Sequence, residues 1–299
     1  MTQLVVPSVP ASVRNFTMQA KGLVAPGVVG LYGESGSTKS SIAATWPKPM
    51  VVFDFEHGWH RIWGLSQVNG QWLYNGEPGL VDVRFPAVPA KSLTTRYEVL
   101  EGWRKAWGEF TSQFVAALED KSIKTIVWDT ATVEWGLCCD CFLEELQHME
   151  LKPGSRQRKQ LQQIEYGEPN RRQRELLNTA VSYGKWLILT HHETDKYAPV
   201  MGPDGKPVLD EENRPRSAPT GEKVPDGFRY TINACDWLFY TKKQVVVSSQ
   251  NGVKAKTITP VTEIEKSALG IDLVGVSMEW FTYPFFEQNV LPMYGRVKL

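Results

Sequence analysis

The sequence predicts an α/β fold: a mainly parallel central sheet flanked by helices, with an antiparallel hairpin extension. Three observations carry this expectation. Short apolar runs of strand length recur at 27–33, 50–56, 123–130 and 185–193, with helical patterning between them. The first run leads into a Gly/Ser-rich turn that opens a helix. Late in the chain, two β-rich stretches flank Asn251-Gly252, a strong hairpin-turn pair.

The elements follow in order. GVVGLYG at 27–33 reads as a buried strand, SSIAATW at 40–46 as a helix stopped by Pro47, and MVVFDFE at 50–56 as a second strand ending in acids. VDVRF at 81–85 is a shorter strand. Over 97–118, Leu100, Trp103, Trp107, Phe110, Phe114 and Leu118 step by three and four, the mark of an amphipathic helix. IKTIVWDT at 123–130 is a β-branched strand; 131–150 and 171–183 read as helices, the second closed by Gly184 in the C′ position. KWLILTHHE at 185–193 is another strand. Six prolines and three glycines between 194 and 226 predict a long mobile loop, with a small hairpin around Pro203-Asp204-Gly205. The expected division is an N-terminal segment 1–25, a domain over 26–260 with a helical and basic insertion at about 131–170, and an aromatic C-terminal extension 261–299.

Composition narrows the function. The 299 residues carry 33 basic and 33 acidic side chains, so a globally basic nucleic-acid coat is excluded while local patches are not. An apolar fraction of 42% excludes wholesale disorder. No apolar run reaches membrane-span length and no secretory signal is evident, so a cytoplasmic protein without a membrane partner is expected. Cys138, Cys139 and Cys141 crowd together with Cys235 distant, which fits a reducing compartment better than a disulfide framework. Cys138, Cys139, Cys141 and His148 raise a zinc reading, but no second Cys/His pair follows at zinc spacing, and buried structural cysteines are the simpler reading.

The strongest motif is GESGSTKS, residues 33–40, placed after a buried strand and before a helix. Inward-turned N–H groups of Gly33, Glu34, Ser35, Gly36, Ser37, Thr38, Lys39, Ser40 and Ser41 would cradle the phosphates of ATP. Lys39 would reach the β- and γ-phosphates, and Ser40 would ligate Mg²⁺. The usual pattern has glycine before the lysine; this chain has Thr38. Asp129, at the tip of a strand, is placed to hold the metal, its other use being a helix N-cap. Glu56 ends another strand and is the candidate base for the attacking water, with Asp54 and Glu134 behind it. Thr190 and His191, at the tip of a third strand, are candidate γ-phosphate sensors, with His192 next to them.

GESGSTKS, FDFEHG, TIVWDT and LILTHHE, in this order over roughly 25–245, resemble the motifs of RecA-like P-loop ATPases, in particular phage-type nucleotide-binding and single-strand annealing proteins. The resemblance implies a Mg²⁺-dependent ATPase acting on single-stranded DNA in recombination, annealing or repair. It places Glu56 ahead of Glu134 as the catalytic carboxylate and 194–226 as the DNA-responsive loop. It also implies assembly into a ring or filament and work beside phage recombination or replication proteins. Basic residues from a neighbouring subunit complete such sites, and Lys242 and Lys243 are the candidates here.

Residues 152–174 hold seven basic side chains against two acids, with Tyr166 among them. Arg156, Arg158, Lys159, Arg171, Arg172 and Arg174 are therefore the candidate DNA contacts, the alternative being a solvated helical face. Two other function classes stay open. A nucleotide-binding switch with little hydrolysis that recruits a protein partner would account for Thr38. A small-molecule kinase would use 152–174 as its lid.

Overall fold

A computed structural model describes residues 26–62, 80–89, 101–149, 158–211, 214–250, 253–268 and 273–291. The expected segment 1–25, the Asn251-Gly252 turn and the candidate Arg156 lie outside the described residues.

The elements in chain order are β1 (Val28–Gly33), α1 (Lys39–Ala43), β2 (Met50–Asp54), β3 (Val81–Arg84), α2 (Trp103–Glu119), β4 (Thr125–Asp129), α3 (Ala131–Met149), α4 (Gly167–Ser182), β5 (Trp186–His191), β6 (Glu193–Pro199), β7 (Ser217–Pro225), α5 (Thr231–Ala234), β8 (Trp237–Gln250), β9 (Val253–Lys266), β10 (Ser277–Glu279) and α6 (Tyr283–Phe285). One eight-stranded sheet runs in the order β10-β9-β8-β1-β5-β4-β2-β3. The strands from β8 to β3 are parallel, and β9 and β10 add the antiparallel extension. This is the fold class the sequence predicts.

The apolar runs are continuous because the sheet is covered on both faces. Alternate residues of each strand serve different cores. Val29, Leu31, Val52, Val127 and Ile188 pack with Trp46, Trp237, Phe239, Phe281 and Phe286 on the face that carries α1. Val28, Val51, Phe53, Ile126, Trp128 and Leu187 pack beneath α2, α3 and α4, where Phe110 and Phe114 meet Trp128 edge-on at 5.6 and 5.2 Å. Residues 273–291 seal the first face: Phe286 lies 4.7 Å from Trp237, and Phe281 4.8 Å from Phe239. The boundary expected at 260–261 falls within β9, so the aromatic C-terminal stretch shares the core of the sheet.

The expected loop at 194–226 is corrected. β6 and β7 form a two-stranded antiparallel hairpin, extended by bridges at Met201–Pro207 and Leu209–Pro215. A two-stranded ribbon has two outer edges, where proline's missing N–H leaves no bond unmade, so Pro199, Pro219 and Pro225 fit within strands. α4 begins at Gly167, earlier than expected, and Gly184 takes φ 64° after its end. Among the described residues, no helix is long and apolar enough to cross a membrane.

Cys138 and Cys141 are buried on the side of α3 that faces α4, near the Pro169 carbonyl and Arg172 respectively. The same interface buries Glu134, whose Oε2 accepts a 2.6 Å bond from Gln173 Nε2. Glu134 Oε1 and Gln173 Oε1 are both buried without a partner. A proton on the carboxyl would supply a donor where both oxygens lack one, and burial pushes this carboxyl up to about 8. Between the ordinary value of 4.5 and about 8, the folded chain holds a proton that the unfolded chain releases. Its contribution is therefore complete below 4.5 and is lost as pH rises, by about 1.4 kcal/mol per pH unit. Urea denaturation of the wild type and Glu134→Gln between pH 5 and 8 tests this: the stability difference should tilt toward the variant as pH rises.

Candidate functional site

At the end of β1 the chain turns through 34–38 into α1. Gly33 has φ 147°, and a Cβ there would meet the Thr241 carbonyl oxygen at 2.0 Å, so β8 closes on the loop from one side. Ser37 Oγ and Thr241 Oγ1 share a 2.6 Å hydrogen bond. Lys243 donates from its backbone N–H to Glu34 Oε1 at 3.2 Å and from Nζ to the Ser35 carbonyl at 2.9 Å. Lys39 is buried and donates from Nζ to the carbonyls of Gly33 and Glu34, both at 2.8 Å. Burial lowers its ammonium from the ordinary lysine value, and Asp129, Glu193, Glu56 and Glu34 pull it back.

The loop opens on a cavity of about 250 Å³, lined by residues 35–41 together with Asp54, Glu56, Arg61, Asp129, Thr130 and His192. The acids reach it because β2 and β4 are parallel, in register, and end at one edge, with Asp54 opposite Asp129. Asp129 is buried; burial raises its carboxyl, and hydrogen bonds from Thr190 and Ser40 oppose that rise. The Thr190 Oγ1 bond to Asp129 Oδ1 is 2.5 Å. A carboxylate and a serine hydroxyl side by side are hard oxygen donors and fit Mg²⁺. Among the described residues no group of three His, Cys, Asp or Glu could hold a metal alone, so phosphate oxygens and water would complete such a shell.

Asp54 and Glu56 divide their work. Asp54 is fully buried and accepts the backbone N–H groups of Glu56, Gly58 and Trp59 at 3.3, 3.0 and 2.8 Å, which shapes the turn after β2. Its oxygens are thereby taken. Glu56 stands at the cleft, with Oε1 3.0 Å from His192 Nε2.

Of the two sensor candidates, Thr190 bonds to Asp129 and neither it nor His191 lines the cavity. Side chains alternate along β5, so Ile188 and Thr190 face the α1 side and Leu189 and His191 the other. His191 is buried, with Nδ1 2.9 Å from the Asp226 carbonyl and Nε2 without a partner. Burial pulls it down to about 4, so it is neutral near pH 7. The ring at the cleft belongs to His192. His192, the next residue, lines the cavity instead, and the alternation from the apolar Ile188 was the signal in the sequence that it shares the face of Thr190. Arg61 was also missed, and its only signal was a basic residue shortly after the strand-end acid.

The basic candidates are less available than their sequence implies. Lys242 Nζ is 3.1 Å from Glu263 Oε2, and Lys243 is bonded to its own phosphate loop, so neither presents the free ammonium expected of a residue acting on a neighbour. Arg171 pairs with Glu168 and Glu175, Arg172 with Glu145 and Glu168, and Arg158 with Glu165. The acids answering them on α3, α4 and the turn before α4 turn most of the expected basic stretch into an ion-pair network. Lys159 is exposed. Arg174 lies 4.3 Å over the Tyr230 ring.

Thr38, where the common motif has glycine, adopts φ 73° and ψ 13°. That left-handed conformation suits glycine and strains a β-branched residue by about 1–2 kcal/mol. Thr38→Gly should therefore raise the midpoint of thermal unfolding by about 2–3 °C, read by scanning calorimetry. A lower midpoint would mean that the Thr38 hydroxyl, bonded to the Ser37 carbonyl at 2.5 Å, outweighs the strain.

Residues 25–202 match the family model described as AAA domain. That stretch is more than half of the chain and holds the phosphate loop and the ends of β2, β4 and β5. No curated protein matches the chain. With a phosphate loop between a parallel strand and its helix, and carboxylates raised beside it by the neighbouring strands, the chain belongs to the AAA domain family and has a P-loop ATPase fold.

Proposed function

We propose that the protein binds ATP with Mg²⁺, hydrolyses it, and passes the state of the nucleotide to single-stranded DNA through the β6–β7 arm. The observation that carries this reading is the Glu56–His192 contact of 3.0 Å across the mouth of the phosphate-loop cavity. Lys39 neutralises the β- and γ-phosphates. Ser40 and Asp129 hold the cation, and Thr190 fixes the orientation of Asp129. When bound, Mg²⁺ offsets charge on the transferred phosphoryl oxygens. Glu56 accepts a proton from the attacking water, and His192 holds that carboxylate at the cleft. Arg61, on the same wall, opposes negative charge on the γ-phosphoryl.

The arm starts beside this contact. His192 donates its backbone N–H to Thr132 Oγ1 at 3.1 Å, Thr132 Oγ1 donates to the Asp226 carbonyl at 3.0 Å, and Asp226 N–H donates to the His192 carbonyl at 2.8 Å. A shift of His192 on loss of the γ-phosphate thus reaches both ends of the β6–β7 hairpin. Arg174 on the Tyr230 ring, with exposed Arg229 beside it, offers the cation and aromatic surface that a single strand requires. The order of sequence motifs supports a phage recombination, annealing or repair setting in the cytoplasm, with subunits assembled into a ring or filament.

Lys39→Ala should abolish nucleotide binding in calorimetric titration. Glu56→Gln should retain binding and lose about 10²–10⁴-fold in turnover. Turnover should rise with added single-stranded DNA. Unchanged turnover in Glu56→Gln would favour a nucleotide-binding switch that recruits a protein partner.

A further inference from the structure

The long ribbon made by β8 and β9 has no part in the chemistry above, yet its placement beside the phosphate loop is specific. β8 is parallel to β1, with Gly33 opposite Thr241, so everything after Thr241 rises past the sheet edge from which the loop springs. β9 returns along it with Lys243 opposite Pro260, Val245 opposite Ile258 and Val247 opposite Lys256.

The face of this ribbon is set by alternation. Trp237 and Phe239 point to the α1 side, so Thr241, Lys243, Val245 and Val247 point that way too. The first two confirm it by touching the loop, Thr241 at Ser37 and Lys243 at Ser35. A Cβ on Gly36 would lie 3.5 Å from Lys243 Nζ, so the ammonium stands on the rim of the nucleotide cavity. Beyond it, Val245 is 48% exposed, Ile258 46% and Val247 62%, an aliphatic strip facing solvent.

The rest follows from the direction of the triphosphate, and so from the ATP reading above. Asp129, Glu56 and Arg61 mark the γ-phosphate end, and they rise from β4 and from the turn after β2, on one side of β1. The α-phosphate, ribose and base extend the opposite way along the loop. β8 is the strand on that side of β1. Val245 stands about 7 Å past Lys243 along the strand, directly across from Ile258. We propose that Val245 and Ile258 form an aliphatic platform against which the nucleobase packs, with Val247 extending it outward. The base removes from water apolar side chains that the fold leaves exposed, and the ribbon gains a partner that a two-stranded sheet lacks by itself.

The test is calorimetric titration of the full chain with ATP and with inorganic tripolyphosphate, each with Mg²⁺. The wild type should bind ATP the more tightly. Val245→Ser/Ile258→Ser should weaken ATP about tenfold and leave tripolyphosphate unchanged. Ile258→Trp should tighten ATP alone by stacking. Gln244→Ser, on the opposite face of the same strand, should change neither and serves as the control for ribbon folding. ATP affinity unchanged in the double variant, or ATP and tripolyphosphate weakened equally, would overturn the platform while leaving the phosphate site in place. A wild-type chain that binds neither ligand would overturn the ATP reading itself.

Discussion

Asp129 is the group on which the site depends. Its carboxylate accepts the Thr190 hydroxyl from β5 and meets Ser40 at the start of α1, while its carbonyl accepts the Phe55 N–H just after β2. One residue therefore ties three strand ends to the phosphate loop. It is buried, and a buried carboxylate is costly unless it is hydrogen-bonded or paired with a cation. The same burial that raises its pKa makes this corner a place where a divalent ion is welcome.

Around that corner, a parallel sheet supplies geometry that no local segment could. Strands β1, β2, β4 and β5 end at one edge because they run the same way, and their ends bring together the loop, Glu56, Asp129 and His192. The two aromatic cores hold the sheet from both sides. Phe53, Phe110, Phe114 and Trp128 fix β2 and β4 beneath α2, and Trp46, Trp237 and Phe286 fix β8 and the helix of the loop. Close packing on both faces keeps the strand ends in register, which is what a phosphate-handling site needs.

β8 makes the site asymmetric. On one side of β1 lie the acids and a histidine; on the other, a strand that touches the loop at Ser37, Ser35 and Glu34 and then continues as a ribbon. The ribbon is thus hydrogen-bonded to the phosphate loop at Ser35, Ser37 and Glu34. The β6–β7 hairpin is tied to the opposite wall through His192, Thr132 and Asp226. The two hairpins thus start from strands on opposite sides of β1.

Much of this was legible in the residues. GESGSTKS, the acids ending 50–56 and 123–130, and the apolar runs of strand length identify a parallel α/β sheet with a phosphate loop, since strand, turn and helix chemistry is local. Other features waited on tertiary structure. His192 rather than His191 lines the cleft because the phase of β5 against its neighbours decides which side chains share a face. Asp54 is consumed by the turn it caps, and Arg171 and Arg172 are answered by acids, two of which stand on the same helix and one on α3. The prolines of 194–226 read as a loop in one dimension, yet an edge position removes their penalty. The amino-acid sequence by itself determined the local chemistry, the motif and the strand class. Only the packed sheet decided which charges are spent on one another and which face the cavity, because those pairings join segments far apart in the chain.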